Sequence, residues 1–136
     1  MRYYCYVLNL RALSAIDKGV QSTHAVVELF NKYTDSSDKE LEQKVFTWAE
    51  RDKTLILLNN GDLESMNKSY ELIKTLAYEL RIPFAKFNEE SLGGILTSIA
   101  LIVPEYVVKL NTDVILEVEP ADLQLKRFLD SKRLAT

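Results

Sequence analysis

Residues Asp17 to Leu29 read DKGVQSTHAVVEL and follow directly on a strand-like N-terminus. Apolar residues recur at helical spacing at Val20, Val27 and Phe30, with Val26, Leu29 and Tyr33 beside them, and predict a helix over Gly19 to Tyr33. Winding the segment at about 100° per residue sets Gln21, Ala25, Glu28 and Lys32 on a solvent stripe. His24, the only histidine in the chain, falls on the border between that stripe and the apolar face. A ring there packs on one side and offers a nitrogen outward. Imidazole suits proton transfer near neutral pH, yet a lone histidine at the edge of an apolar helix face is more often a packing residue. Gln21 and Lys18 are ordinary surface helix residues on the same grounds.

The preceding stretch, Tyr3 to Leu10, is aromatic and aliphatic without helical period and reads as a buried strand, with Arg11 to Lys18 as the connection. Downstream, Ser37 stands three residues before Glu40, a capping-box spacing ahead of Leu41, Val45 and Trp48, and predicts a short helix. Thr54 to Leu58 is a second strand, closed by the turn Asn59-Asn60-Gly61. A long helix follows, capped by Asp62 or Gly61, through Leu63, Met66, Tyr70, Ile73, Leu76, Ala77 and Leu80, and Pro83 ends it. Phe84 to Phe87 is a third strand, Asn88 to Gly94 a loop, and Leu96 to Val103 a fourth strand.

Strands alternating with helices predict an α/β domain whose first three strands run parallel. The link between the third and fourth strands is too short for a crossover helix, so the fourth runs antiparallel. In the tail, Tyr106 to Leu110 and Val114 to Val118 have strand character. Pro120 suits a first helical position ahead of Leu123, Phe128 and Leu129.

With 136 residues the chain is long enough for one domain with a real core. A formal net charge of −3 argues against a broadly basic nucleic-acid surface, although phosphate contacts depend on local placement. Cys5 is the single cysteine, which excludes an internal disulfide and fits a reducing compartment. One histidine and one cysteine leave little for a zinc site. MRYYCYVLNL is too short and polar for a secretory signal, and no run approaches the ~20 apolar residues of a membrane span. A soluble cytoplasmic protein, with no metal and no membrane contact, is the expectation.

The order of strand, helix with Gln-x-x-His-Ala, strand, helix, strand, acidic loop and Leu-Thr-x-Ile-Ala strand resembles the type-2 peptidyl-tRNA hydrolase family. Gln21-Ser22-Thr23-His24-Ala25, Trp48, Thr54 to Leu58, Leu96-Thr97-Ser98-Ile99-Ala100 and Pro104 carry the resemblance. The shortened acidic loop looks like that of a divergent bacterial and viral branch.

The resemblance implies a three-layer α/β/α domain over residues 1–104, a four-stranded mixed sheet in spatial order 2-1-4-3, and a homodimer. Residues 105–136 would be a C-terminal extension packed on the same domain or on a partner. It also implies hydrolysis of the ester joining a peptide to a tRNA, without metal or cofactor.

Carried over residue by residue, the family site maps onto His24, Lys18, Glu89 and Thr97 as the catalytic set. His24 and Gln21 match. The family lysine falls where this chain has Asp17, with Lys18 displaced by one. Glu89 stands for the family aspartate, and the Gly and Thr after that aspartate are replaced by Glu90-Ser91-Leu92-Gly93-Gly94. As residues alone, Glu89 and Glu90 are solvated loop acids and Thr97 is a packed strand threonine.

Two functions from different classes follow. In the first, Glu89 or His24 orients a water, Lys18 or backbone N–H groups at the helix start stabilise an oxyanion, and Thr97 positions the substrate. In the second, a binding or regulatory module keeps the fold and has lost the chemistry. A hydrolase for another small ester or amide in the same cleft is a third, weaker reading. The four site residues are expected at the C-terminal end of the first strand, with Lys18 at the rim of the cleft.

Overall fold

The computed structural model describes residues 1–135. Within them a five-stranded mixed sheet has spatial order β3-β4-β1-β2-β5. β1 (Tyr3–Asn9) pairs parallel with β2 (Leu55–Asn59) and antiparallel with β4 (Ile95–Pro104). β3 (Phe84–Glu89) pairs antiparallel with β4, so β1, β2 and β3 share one direction and β4 opposes them. That much follows the expected directions and order. The sheet has five strands rather than four because β5 (Arg133–Leu134) closes the open edge of β2 in antiparallel register, with Leu58 opposite Leu134. Two residues are too short to show an alternating pattern, which is why the sequence carried no sign of it.

Strand alternation divides the core between two faces. Cys5 and Val7 of β1 and Ala100 and Ile102 of β4 meet Ala25, Leu29 and Tyr33 of α1 (Ala15–Tyr33) and Val45 of α2 (Lys39–Thr47) on one side. Leu8 of β1 and Ile99, Leu101 and Val103 of β4 meet Met66, Ile73 and Leu76 of α3 (Leu63–Leu80) on the other. Val107 of the short α4 (Glu105–Val108) and Leu125 and Leu129 of α5 (Ala121–Asp130) join that second cluster.

Local corrections have local causes. α1 begins four residues earlier than expected, because Ser14 caps it by accepting a hydrogen bond from the Asp17 N–H at 3.1 Å. Asp38, not Ser37, caps α2, its carboxylate taking the Leu41 N–H. Trp48 continues α2 into one turn of π-helix, and its indole N–H donates to the Thr54 carbonyl at 2.8 Å. Pro120 is the cap of α5 rather than its first residue. Residues 105–108 are helical, and Val114 to Val118 forms no strand: Ile115 is 95 % and Val118 84 % exposed. Among the described residues no helix is long and apolar enough to cross a membrane.

Candidate functional site

Of the solvent stripe expected on α1, Gln21 and Ala25 are buried, while Glu28 is half-buried and Lys32 exposed. Lys18, Gln21, Ser22, Ala25, Leu29 and Tyr33 face the sheet, while Ile16, Val20 and Val27 are exposed. The first three turns of α1 therefore bury polar groups and expose apolar ones. Periodicity predicts the reverse, and such inversions mark places where something other than core formation selects the residues.

The polar groups meet a polar end of the sheet. Asn9, the last residue of β1, is fully buried, and its Oδ1 accepts from Ser22 Oγ at 3.0 Å and Ser98 Oγ at 2.6 Å. One residue earlier on β4, Thr97 Oγ1 donates to Gln21 Oε1 at 2.7 Å, and the Phe87 carbonyl lies 3.3 Å from the same hydroxyl. Consecutive strand residues ordinarily point to opposite faces. Here the β3–β4 register slips: Phe87 opposes Ser98 and Asn88 opposes Leu96, leaving Thr97 as the extra residue of a bulge. The bulge turns both Thr97 and Ser98 toward α1 and sends Leu96 into the opposite core cluster.

Of the four expected site residues, Thr97 lies in this network, fully buried. Lys18, in the first turn of α1, is 4 % exposed. That corrects the expectation of a lysine at the rim: in the first turn of α1 it lies on the sheet-facing side with Gln21. Asp17 in its stead is exposed. His24 is exposed and stacks on Phe87 of β3, ring centroids 4.5 Å apart at 17°. Glu89 ends the same strand two residues on, half-buried, with Oε1 accepting from Ser91 Oγ at 2.8 Å.

Phe87 is thus the common neighbour, its ring under His24 and its carbonyl beside Thr97. Among the described residues no hydrogen bond joins His24 to Glu89 or to Thr97. Asn9, Ser22 and Ser98 were not singled out by sequence reasoning. A polar Asn closing an apolar strand was the one signal available.

One helical turn beyond His24, a cleft of about 330 Å³ is lined by Glu28, Asn31, Lys32, Tyr70, Ala85 and Lys86. Lys32 Nζ donates to the Phe84 carbonyl and sits 3.7 Å from the Phe84 ring centroid. Burial, and then the charge of Lys74, hold the Lys32 ammonium below its ordinary pKa. Lys86 lies over the Tyr70 ring. Among the described residues no group of three or more His, Cys, Asp or Glu side chains is placed to hold a metal ion.

Compared with known proteins, the chain matches no family model and has no significant sequence match to a curated protein.

Proposed function

We propose that the chain is an ester hydrolase of the type-2 peptidyl-tRNA hydrolase kind, acting on peptidyl- or aminoacyl-tRNA in a three-layer domain. The observation that carries this reading is the shared attachment of His24 and Thr97 to Phe87, with Glu89 closing the same strand and Lys18 beneath the start of α1. Exposed, His24 offers a ring nitrogen to a water or a leaving oxygen, and the stacking fixes its plane. Glu89 would orient the attacking water, and the Lys18 charge would favour the developing oxyanion. Thr97 and Gln21 act as positioning residues, holding the bulge on which Phe87 and Ser98 are registered. Lys32 and Lys86, beside the tyrosine and phenylalanine rings in the adjoining cleft, supply the cation and stacking chemistry that an RNA end requires.

Turnover of peptidyl-tRNA by the purified chain tests this directly. His24→Ala and Glu89→Gln should each slow release of the peptide by about 10² or more while leaving the circular dichroism spectrum unchanged. No turnover by the wild-type chain would remove the enzyme reading.

A second reading is favoured by the Thr97–Gln21 bond. Both polar groups are buried and satisfied by each other, as in a fold retained for binding after its chemistry is lost. Binding of tRNA without turnover would select it. Homodimer formation belongs to either reading, with the exposed Ile16, Val20 and Val27 of α1 and the exposed Val114 to Val118 segment as the apolar surfaces available. A monomer mass by light scattering across a wide concentration range would remove it.

A further inference from the structure

Two stretches of backbone stand without partners, one at an edge of the sheet and one in the C-terminal tail. The edge is that of β3, the outermost strand on the side away from β5. The Ile102 N–H donates to the Pro83 carbonyl, which sets the phase of the ladder. Ala85 and Phe87 turn their backbone groups to β4, and Phe84, Lys86 and Asn88 turn theirs outward. The Tyr33 hydroxyl bonds both the N–H and the carbonyl of Phe84, and Lys32 donates to the same carbonyl, so the start of the edge is closed. Past them the N–H and C=O groups of Lys86 and Asn88 meet no partner among the described residues, and both residues are exposed.

The tail stretch is residues 114–119, VILEVE, which form neither helix nor strand. From Ile115 to Val118 no backbone group is hydrogen-bonded among the described residues. Arg127 holds the two ends, donating to the Val114 carbonyl and to the Glu119 carboxylate, and the middle projects with Ile115 and Val118 bare to solvent. Laid out as a strand, the residues sort by face: Val114, Leu116 and Val118 on one, Glu117 and Glu119 on the other. A row of open strand-edge groups is a template for another chain. This chain already covers its opposite edge by the same device, with β5 of the tail on β2.

Shape and charge agree with such an addition. The cleft of about 330 Å³ lies on the open edge of β3, between Glu28, Asn31 and Lys32 of α1 and Tyr70 of α3. That is the place a sixth strand would take. Lys32 and Lys86 line it, and Lys74 of α3 is close enough to act on the Lys32 ammonium. None of the three enters an ion pair among the described residues. Lys32 and Lys86 lie against aromatic rings, contacts that leave ammonium donors over. Glu28 is the one acid in the lining.

We propose that residues 114–119 of one copy add as a strand to the outer edge of β3 in a second copy, with Glu117 and Glu119 toward Lys74 and Lys86. In its own chain the segment is tied to α5 through Arg127 and is not part of the cleft lining. Seating it straightens the segment and frees one end from Arg127, a partly exposed contact of small net value. A seated segment keeps an RNA end off Lys32 and Lys86. Association is measured without RNA, so the proposal stands or falls separately from hydrolysis at His24.

Sedimentation of the purified chain over a wide concentration range tests it. Wild type should show a mass of two or more copies that rises with concentration. Lys86→Pro removes an outward N–H that β4 does not use, and Val118→Asp places a charge on the apolar face of the segment. Each should weaken association about tenfold, and Val20→Asp, on the exposed face of α1, should not. One variant keeps the segment and the other keeps the edge, so mixing the two should restore part of the association, which misfolding of either could not do. The proposal is overturned by a monomeric wild type at every concentration, by equal loss in all three variants, or by no recovery in the mixture. A monomer that binds a free peptide of residues 113–119 also overturns it, and gives the cleft to an acidic segment of another protein.

Discussion

The hydroxyl of Thr97 donates to the side-chain carbonyl of Gln21 at 2.7 Å, tying the start of β4 to the second turn of α1 across a buried contact. Thr97→Val keeps the shape and removes the donor. It leaves the Gln21 oxygen unpaired in a site closed to water, at a cost of about 1–3 kcal/mol. Thr97→Ser retains the donor and should lose less. Chemical denaturation of the two variants against wild type checks this, and an undiminished midpoint for Thr97→Val would mean the bond contributes nothing.

A second test concerns Asn9. Its Oδ1 accepts from two hydroxyls at once, those of Ser22 and Ser98. Ser22→Ala or Ser98→Ala should each cost about 1 kcal/mol, and Asn9→Ala about 2–4 kcal/mol, because two buried donors lose their acceptor together. A double-mutant cycle between Ser22 and Ser98 should show coupling, since both bonds fall on one oxygen. Strict additivity would indicate that the two hydroxyls act independently.

Strand directions were legible because they rest on loop length, two connections long enough for helices and one too short for any, whereas the order 2-1-4-3 was an expectation from the family resemblance alone. The facing of α1 was legible only in its second half, where Leu29 and Tyr33 are buried and Val26 and Phe30 pack on the core. In its first turns Ile16 and Val20 lie outside and Lys18, Gln21 and Ser22 inside, so a rule that places apolar residues inward misreads them, as it does Val27. The deciding information was long-range. Asn9, Thr97 and Ser98 supply polar partners under α1, and only a register slip between β3 and β4 turns Thr97 and Ser98 the same way. Neither is a property of the helix sequence. The strand predicted over Val114 to Val118 did not form: its aliphatic and acidic residues fit a strand locally, but the segment pairs with no strand of the sheet, and Ile115 and Val118 lie exposed.

Cys5 provides a probe of the sheet centre. It is fully buried in β1, and burial pushes its thiol pKa well above the ordinary cysteine value. Reaction requires the thiolate, so the native chain should resist iodoacetamide or a disulfide reagent and react with one equivalent once unfolded. Rapid native-state labelling at neutral pH would contradict the buried position of β1.

Acid sensitivity should concentrate at the α2–α3 junction. A hydrogen bond from Arg81, and then the Leu41 N–H, hold the Asp38 carboxylate below its ordinary pKa. Lys44, and then Arg81, do the same for Glu40. A carboxylate whose folded-state pKa is depressed contributes stability above its unfolded value of about 3.9, and that contribution is lost as pH falls through the folded value. Asp38→Asn removes the titrating group while keeping an oxygen for the Leu41 N–H. Its melting temperature should therefore lie below that of wild type near neutral pH and converge with it as the pH falls below about 4. Both partners are solvent-exposed, so the difference near neutrality should also shrink in high salt. Thermal melts of the two proteins across the acid range, at low and high ionic strength, check both trends. A gap that persists unchanged into acid would show that Asp38 acts through its cap alone and not through the charge it shares with Arg81.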